Sequence, residues 1–183
     1  MTVQPHANGH HPFALQFLDA NNSYRRKHSV PELQLSLELC TLATEWACFL
    51  ASQRYLKYKE TPDLGENITF FPKSLTAKEV CDYWYKESKV YEYNTPGWQP
   101  GTNYFTQVIW KDTKEIGIGT APLPLVFHKH PKTNDTIPNP LNGYKVVVAF
   151  YSPPGNNNHA GQFAANVIPP LKELTSNQGL FNK

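Results

Sequence analysis

Few residues in this chain have the type and spacing to do chemistry. Glu87 shares one side of a helical pattern with Val80, Tyr83 and Trp84, and a carboxylate set among apolar neighbours needs a partner, as at a binding or catalytic site. His28 follows the basic run Arg25, Arg26 and Lys27, where positive charge complements a helix C-terminus. His6, His10 and His11 lie among Pro, Gly and Asn, a composition that predicts a disordered tail, with metal capture as the alternative. Cys40, Cys48 and Cys81 are an odd set in helical patterns. Residues eight apart on one helix are too distant for the ~5.5 Å Cα spacing of a disulfide. The thiols are therefore expected to be free, mostly buried and in a reducing compartment. No GxSxG nucleophile motif is present.

The elements that must position these residues follow from apolar periodicity. Helices are expected over 13–27, 32–54 and 76–91, with Thr76 as a cap for the third. Pro62, Asp63 and Gly65 break the pattern and predict a loop over 65–68. TPGWQPGTNY reads as a turn-rich connection before the apolar segment 105–110. Residues 116–121 and 144–151 read as strands, the second buried on both faces because Val146, Val147 and Val148 are flanked by aromatics. The Pro- and Asn-rich stretch 122–143 is a long hairpin excursion. Helices followed by hairpin-joined strands imply an α+β domain with an antiparallel sheet. The chain of 183 residues fits one domain over 13–170, between tails over 1–12 and 171–183.

Composition narrows the function classes. The net charge of +2 is too small to mark a nucleic-acid-binding surface. The longest strongly apolar run, 146–150, falls far short of the roughly 20 residues that span a bilayer, and mean hydropathy is −0.51. The first residues show neither a basic segment followed by an apolar one, as in a secretory signal, nor a glycine after Met1 for myristoylation. Sequons stand at Asn21, Asn67 and Asn134 and would matter only on export.

Four segments in chain order carry a resemblance: GENI at 65–68, WYKE at 84–87, NYFTQVIW at 103–110 followed by IGIGTA, and VVVAFYSPPGN at 146–156. Over 13–170 the chain resembles the CAP superfamily of cysteine-rich secretory, antigen 5 and pathogenesis-related 1 proteins. Residues 166–170, NVIPP, and the lack of the family's disulfide set point to its Golgi-associated plant pathogenesis-related branch. The resemblance implies an αβα sandwich with a central cleft, in which two histidines and two glutamates of the family can hold a divalent metal. The glutamates fall on Glu66 and Glu87, while the histidine positions fall on Tyr104 and Tyr58. A phenol protonated at pH 7 is a poor ligand for zinc. No metal or other cofactor is expected, and the tyrosines are expected to donate hydrogen bonds to the carboxylates instead.

The resemblance favours a non-enzymatic binding module recognising lipid, membrane surface or protein. Anionic lipid, a protein partner or a second copy of the chain are the partners in view, and nucleic acid is not. Membrane contact would need a local basic patch, at Arg25, Arg26 and Lys27 or at Lys57 and Lys59, but a solvated face is the favoured reading of such runs. The alternatives are a hydrolase with Glu66 and Glu87 as acid and base, and a secreted sterol or fatty-acid carrier. The place implied is intracellular, cytoplasmic or peripheral on Golgi-type membranes. The alternative is extracellular, by leaderless export or an unseen signal.

Overall fold

The computed structural model describes residues 12–171, so the expected tails over 1–12 and 171–183 lie almost wholly outside the described residues. The central element is β6 (Tyr144–Ser152), hydrogen-bonded antiparallel to β2 (Gly65–Pro72) on one side and β3 (Glu115–Pro122) on the other. A two-residue strand, β1 (Gln34–Leu35), joins β3 in parallel and completes the order β1-β3-β6-β2. Successive side chains of a strand point to opposite faces. Val146, Val148 and Phe150 accordingly enter one apolar cluster and Val147, Ala149 and Tyr151 another. The sheet is thus covered on both faces, as the valine run predicted.

One face carries α2 (Leu37–Gln53), whose Leu39, Ala43, Ala47 and Leu50 are buried against the sheet. The other carries α1 (Pro12–Lys27), α3 (Ala77–Tyr85) and α4 (Asn103–Ile109), around Phe17, Trp84 and Phe105. A 3-10 helix over Lys86–Lys89 continues α3, and α5 (Gln162–Asn166) follows the sheet. The excursion after β3 holds a small hairpin of β4 (Phe127–Lys129) and β5 (Thr136–Pro138). This is the expected α+β sandwich.

Several local expectations change. Residues 65–68 form the start of β2 and not a loop, because the aromatic and β-branched run Ile68 to Phe71 extends pairing back to Gly65. The second helix begins at Leu37, five residues later than expected. Ser36 accepts from the Leu39 amide as its cap, and the preceding backbone donates to the Lys114 and Ile116 carbonyls instead. Thr76 caps α3 in a reciprocal capping box with Glu79, but regular helix ends at Tyr85.

All three cysteines are free, yet only Cys81 is buried; Cys40 is half-buried and Cys48 exposed on the outer side of α2. Arg25 is fully buried rather than part of a basic surface. His28 is also buried and is not a cationic cap. Its Nδ1 lies 2.6 Å from the Ile168 carbonyl oxygen and its Nε2 2.8 Å from the Tyr85 hydroxyl. A carbonyl can only accept, so Nδ1 carries the proton and Nε2 accepts from Tyr85. Burial pushes the His28 pKa below the usual value. Asn21 and Asn67 are buried in α1 and β2, whereas Asn134 is exposed in the turn between β4 and β5.

Candidate functional site

The open edge of β2 is where the family-derived residues meet. Register puts Glu66 and Ile68 on the α2 side of the sheet, opposite Phe150 and Val148, and Asn67 and Thr69 on the side of α3 and α4. From the latter side Tyr104, near the start of α4, donates its hydroxyl to the Ile68 carbonyl at 2.8 Å. Its ring stacks on Trp84, whose indole donates to Thr69 Oγ1 at 2.9 Å, and Asn67 donates to the Tyr104 carbonyl at 3.2 Å. From the α2 side, residues 56–58 fold back toward the same edge. Leu56, Lys57, Tyr58, Ile68 and Tyr104 line a recess of about 150 Å³.

The two carboxylates find partners that side-chain reasoning did not foresee. Glu66 accepts the Lys59 amide at 2.9 and 3.1 Å through its two oxygens, which fastens the segment after α2 to β2. Glu87, on the 3-10 helix, accepts the amides of Tyr104 and Phe105 at 2.9 and 3.1 Å, and so caps the first turn of α4. The expected bonds from tyrosine hydroxyls to carboxylates are therefore replaced: Tyr104 serves a backbone carbonyl and Tyr58 stands 57% exposed. Main-chain partners leave no trace in side-chain spacing, which is why sequence missed them.

Burial raises both carboxyl pKa values above the usual range, and the backbone amides offset part of that rise. Burial likewise raises the Tyr104 phenol, with Tyr58 and Glu87 near enough to add to the effect. Tyr104, Tyr58 and Glu87 are thus brought together, and Glu66 lies across the strand edge beside Lys59. Among the described residues no group of three or more His, Cys, Asp and Glu side chains is placed to hold a metal ion.

These shifts set a pH dependence. A carboxyl whose folded pKa is raised stabilises the fold fully below its unfolded value near 4.3, and loses that contribution as pH rises through the folded value. The stability of the native chain relative to an E66Q/E87Q variant should therefore increase as pH falls from 7 toward 4.5, measured by urea denaturation at each pH. The lowered His28 pKa acts in the opposite sense in both proteins and cancels in the comparison.

The other resemblance-bearing residues hold the frame. Gln107 Oε1 accepts the Gly155 amide at 2.9 Å. A Cβ on Gly65 or Gly155 would lie within 2.1 or 2.7 Å of the Gln107 side chain. Thr106 donates to Asn156 at 2.6 Å. The FTQ and PPGN motifs thus lock α4 to the loop after β6.

The profile of the family described as CAP, the cysteine-rich secretory protein family, matches residues 18–124. The chain is 37% identical over 163 residues to the human Golgi-associated plant pathogenesis-related protein 1, spanning 87% of this chain and 95% of that one. It is 28% identical over 149 residues to a PR-1 type pathogenesis-related protein of Sambucus nigra, covering 80% and 78% of the two chains. Among solved structures, BmVAL-1 superposes with a TM-score of 0.58 at 18% identity, over 85% of this chain and 84% of its own. Venom allergen-like protein 4 of Schistosoma mansoni gives 0.56 at 17% identity, over 81% and 92%. The locked motifs, the two-sided sheet and these matches agree, and the chain belongs to the CAP family.

Proposed function

We propose that this chain is a non-enzymatic binding module whose cleft along the β2 edge takes an amphiphile or the surface that presents one, and whose family metal tetrad has degenerated. The observation that carries the reading is the engagement of both cleft carboxylates by main-chain amides. A glutamate that fastens a loop or caps a helix is poorly placed to move protons or bind an ion. The side chains that remain, two phenols, do not suit zinc as imidazoles do. The recess beside them is lined by Leu56, Ile68, the two tyrosines and Lys57. That combination suits a short apolar group carrying an anionic head. Similarity to a Golgi-associated protein supports a peripheral place on internal membranes.

Calorimetric titration with a short-chain anionic phospholipid, held below its micellar concentration, tests the reading. Saturable 1:1 binding is expected, weakened about tenfold, or ~1.4 kcal/mol, by Tyr58→Ala. That side chain is exposed enough to be removed without disturbing the core. Zinc titrated into the same protein should give no tight binding. Tight zinc binding lost in E66Q/E87Q, or lipid ester hydrolysis lost in E87Q, would restore the metal-dependent or hydrolytic alternative.

A further inference from the structure

His28 sits where three separate pieces of chain meet. It closes the turn after α1, its Nε2 accepts the Tyr85 hydroxyl from the end of α3, and its Nδ1 donates to the Ile168 carbonyl beyond α5. Its ring lies edge-on to Tyr85 and tilted against Phe105 of α4, both at 5.7 Å. Tyr85 in turn stacks on Tyr24 at 3.6 Å, and Tyr24 donates to Asp82 at 2.7 Å. The helical partners of the imidazole are therefore braced among themselves.

The third partner is held differently. α5 lays Phe163 edge-on against Trp110 at 5.1 Å. Asn166 accepts the Lys111 amide on its carbonyl at 3.1 Å and the Asp112 amide on its Oδ1 at 2.8 Å. Val167 is buried, and Ile168 then reaches His28. Pro169 and Pro170, next in the chain, have no N–H with which to replace that anchor. The segment is a strap of short helix and loop whose far end the imidazole fastens.

We propose that His28 pins a pH-sensitive latch: neutral, it holds residues 162–171 on the body of the fold, and protonated, it lets that segment swing away and bare Trp110 while the sheet stays intact. The surroundings give an imidazolium no counter-ion. α1 offers Lys27, whose charge opposes a second one, and Arg25, whose guanidinium is committed to carbonyls. α3 offers Tyr85 and, behind Tyr24, the Asp82 carboxylate, which Tyr24 and Lys78 already engage. α4 offers the ring of Phe105 and the C-terminal segment a carbonyl. Among the described residues no carboxylate lies within ion-pair distance of His28. Protonation also gives Nε2 an N–H that meets the Tyr85 hydroxyl proton, so two donors face each other until Tyr85 turns its own away. Hydration of the charged ring relieves both strains, and of the three pieces around it the strap is the one not built into the helical layer.

Once the strap is open the ring titrates near the usual value of about 6.5. The opening constant should therefore rise about tenfold for each pH unit below that value, until the closed form itself takes up the proton. Amide hydrogen exchange of the full chain at pH 7 and pH 5, each rate corrected for intrinsic chemistry, tests this. The amides of Ala165, Val167 and Lys111, which donate to the carbonyls of Gly161, Phe163 and Asn166, should lose about tenfold in protection at pH 5. Those of β6 should keep theirs. In His28→Gln a side-chain amide supplies a donor and an acceptor without titrating, and the difference between the two pH values should vanish. A histidine NMR titration of the native chain is a second measurement that does not depend on the variant's folding: the His28 ring should titrate below 6.5, and protection of the strap should level off at that midpoint. Unchanged protection at pH 5, the same pH response in His28→Gln, joint loss of protection in β6, or a ring midpoint at or above 6.5 would each overturn the latch.

Discussion

Replacing Arg25 with leucine should destabilise the protein by about 4 kcal/mol, the range seen when buried polar groups lose a charged partner. The Arg25 side chain is fully buried, and among the described residues no carboxylate lies within ion-pair distance of it. Its guanidinium donates to the carbonyls of Pro31 at 2.7 Å, Val108 at 3.1 Å, Trp110 at 2.9 Å and Thr113 at 3.1 Å, with Lys111 at 3.4 Å. Burial lowers its pKa to about 10, so it stays charged at neutral pH. Five carbonyls from the turn after α1, the end of α4 and the turn into β3 thus converge on one cation. Leucine fills much of the space and satisfies none of them. Lysine restores charge but not the planar fork, and should recover only part of the loss. Urea denaturation of the two variants measures the difference. A loss under about 1 kcal/mol for leucine would mean that water or relaxed backbone serves these carbonyls equally well.

The second large effect belongs to the contact between α2 and the sheet. A Cβ on Gly119 would lie 2.2 Å from the Thr44 amide nitrogen and 2.4 Å from the Ala43 carbonyl carbon. One on Gly117 would lie 2.1 Å from the Leu39 carbonyl carbon. The neighbours are backbone, so no rotamer change relieves the clash; α2 itself must move. Gly119→Ala should cost about 3 kcal/mol or more, and the double G117A/G119A variant should fail to fold cooperatively. Gly97 gives the control, since an added Cβ there meets nothing within 4 Å. Alanine at that position should be neutral or slightly stabilising by restricting the unfolded chain. A Gly119→Ala protein with an unchanged thermal midpoint would show that the helix can ride higher on the sheet at no expense.

What was legible in the sequence depended on whether a side chain or the main chain supplies the contact. The buried β6 and the Thr76 cap were readable because their signals are side-chain types at fixed spacing. The leucines at 33, 35, 37 and 39 carry two periods at once, and the helix boundary was misplaced because the shorter period governs the first of them. The basic run at 25–27 looked uniform, yet Arg25 points into the core. Glu66 and Glu87 were found through family motifs, but their partners are amides of Lys59, Tyr104 and Phe105. Every residue except proline carries such an amide, so nothing in the letters marks which one will be used.

The burial of Asn21 and Asn67 bears on which of the three sequons the fold could tolerate in glycosylated form. Oligosaccharide transfer takes place on the emerging chain, before a core has closed around the asparagine. A glycan on Asn21 would stand between α1 and the rest of its layer, and one on Asn67 would prise β2 from its neighbours. Asn134, at the tip of an outlying hairpin, would carry the same glycan harmlessly. Of the three sequons, only the one at Asn134 could therefore carry a glycan without loss of the packing seen here.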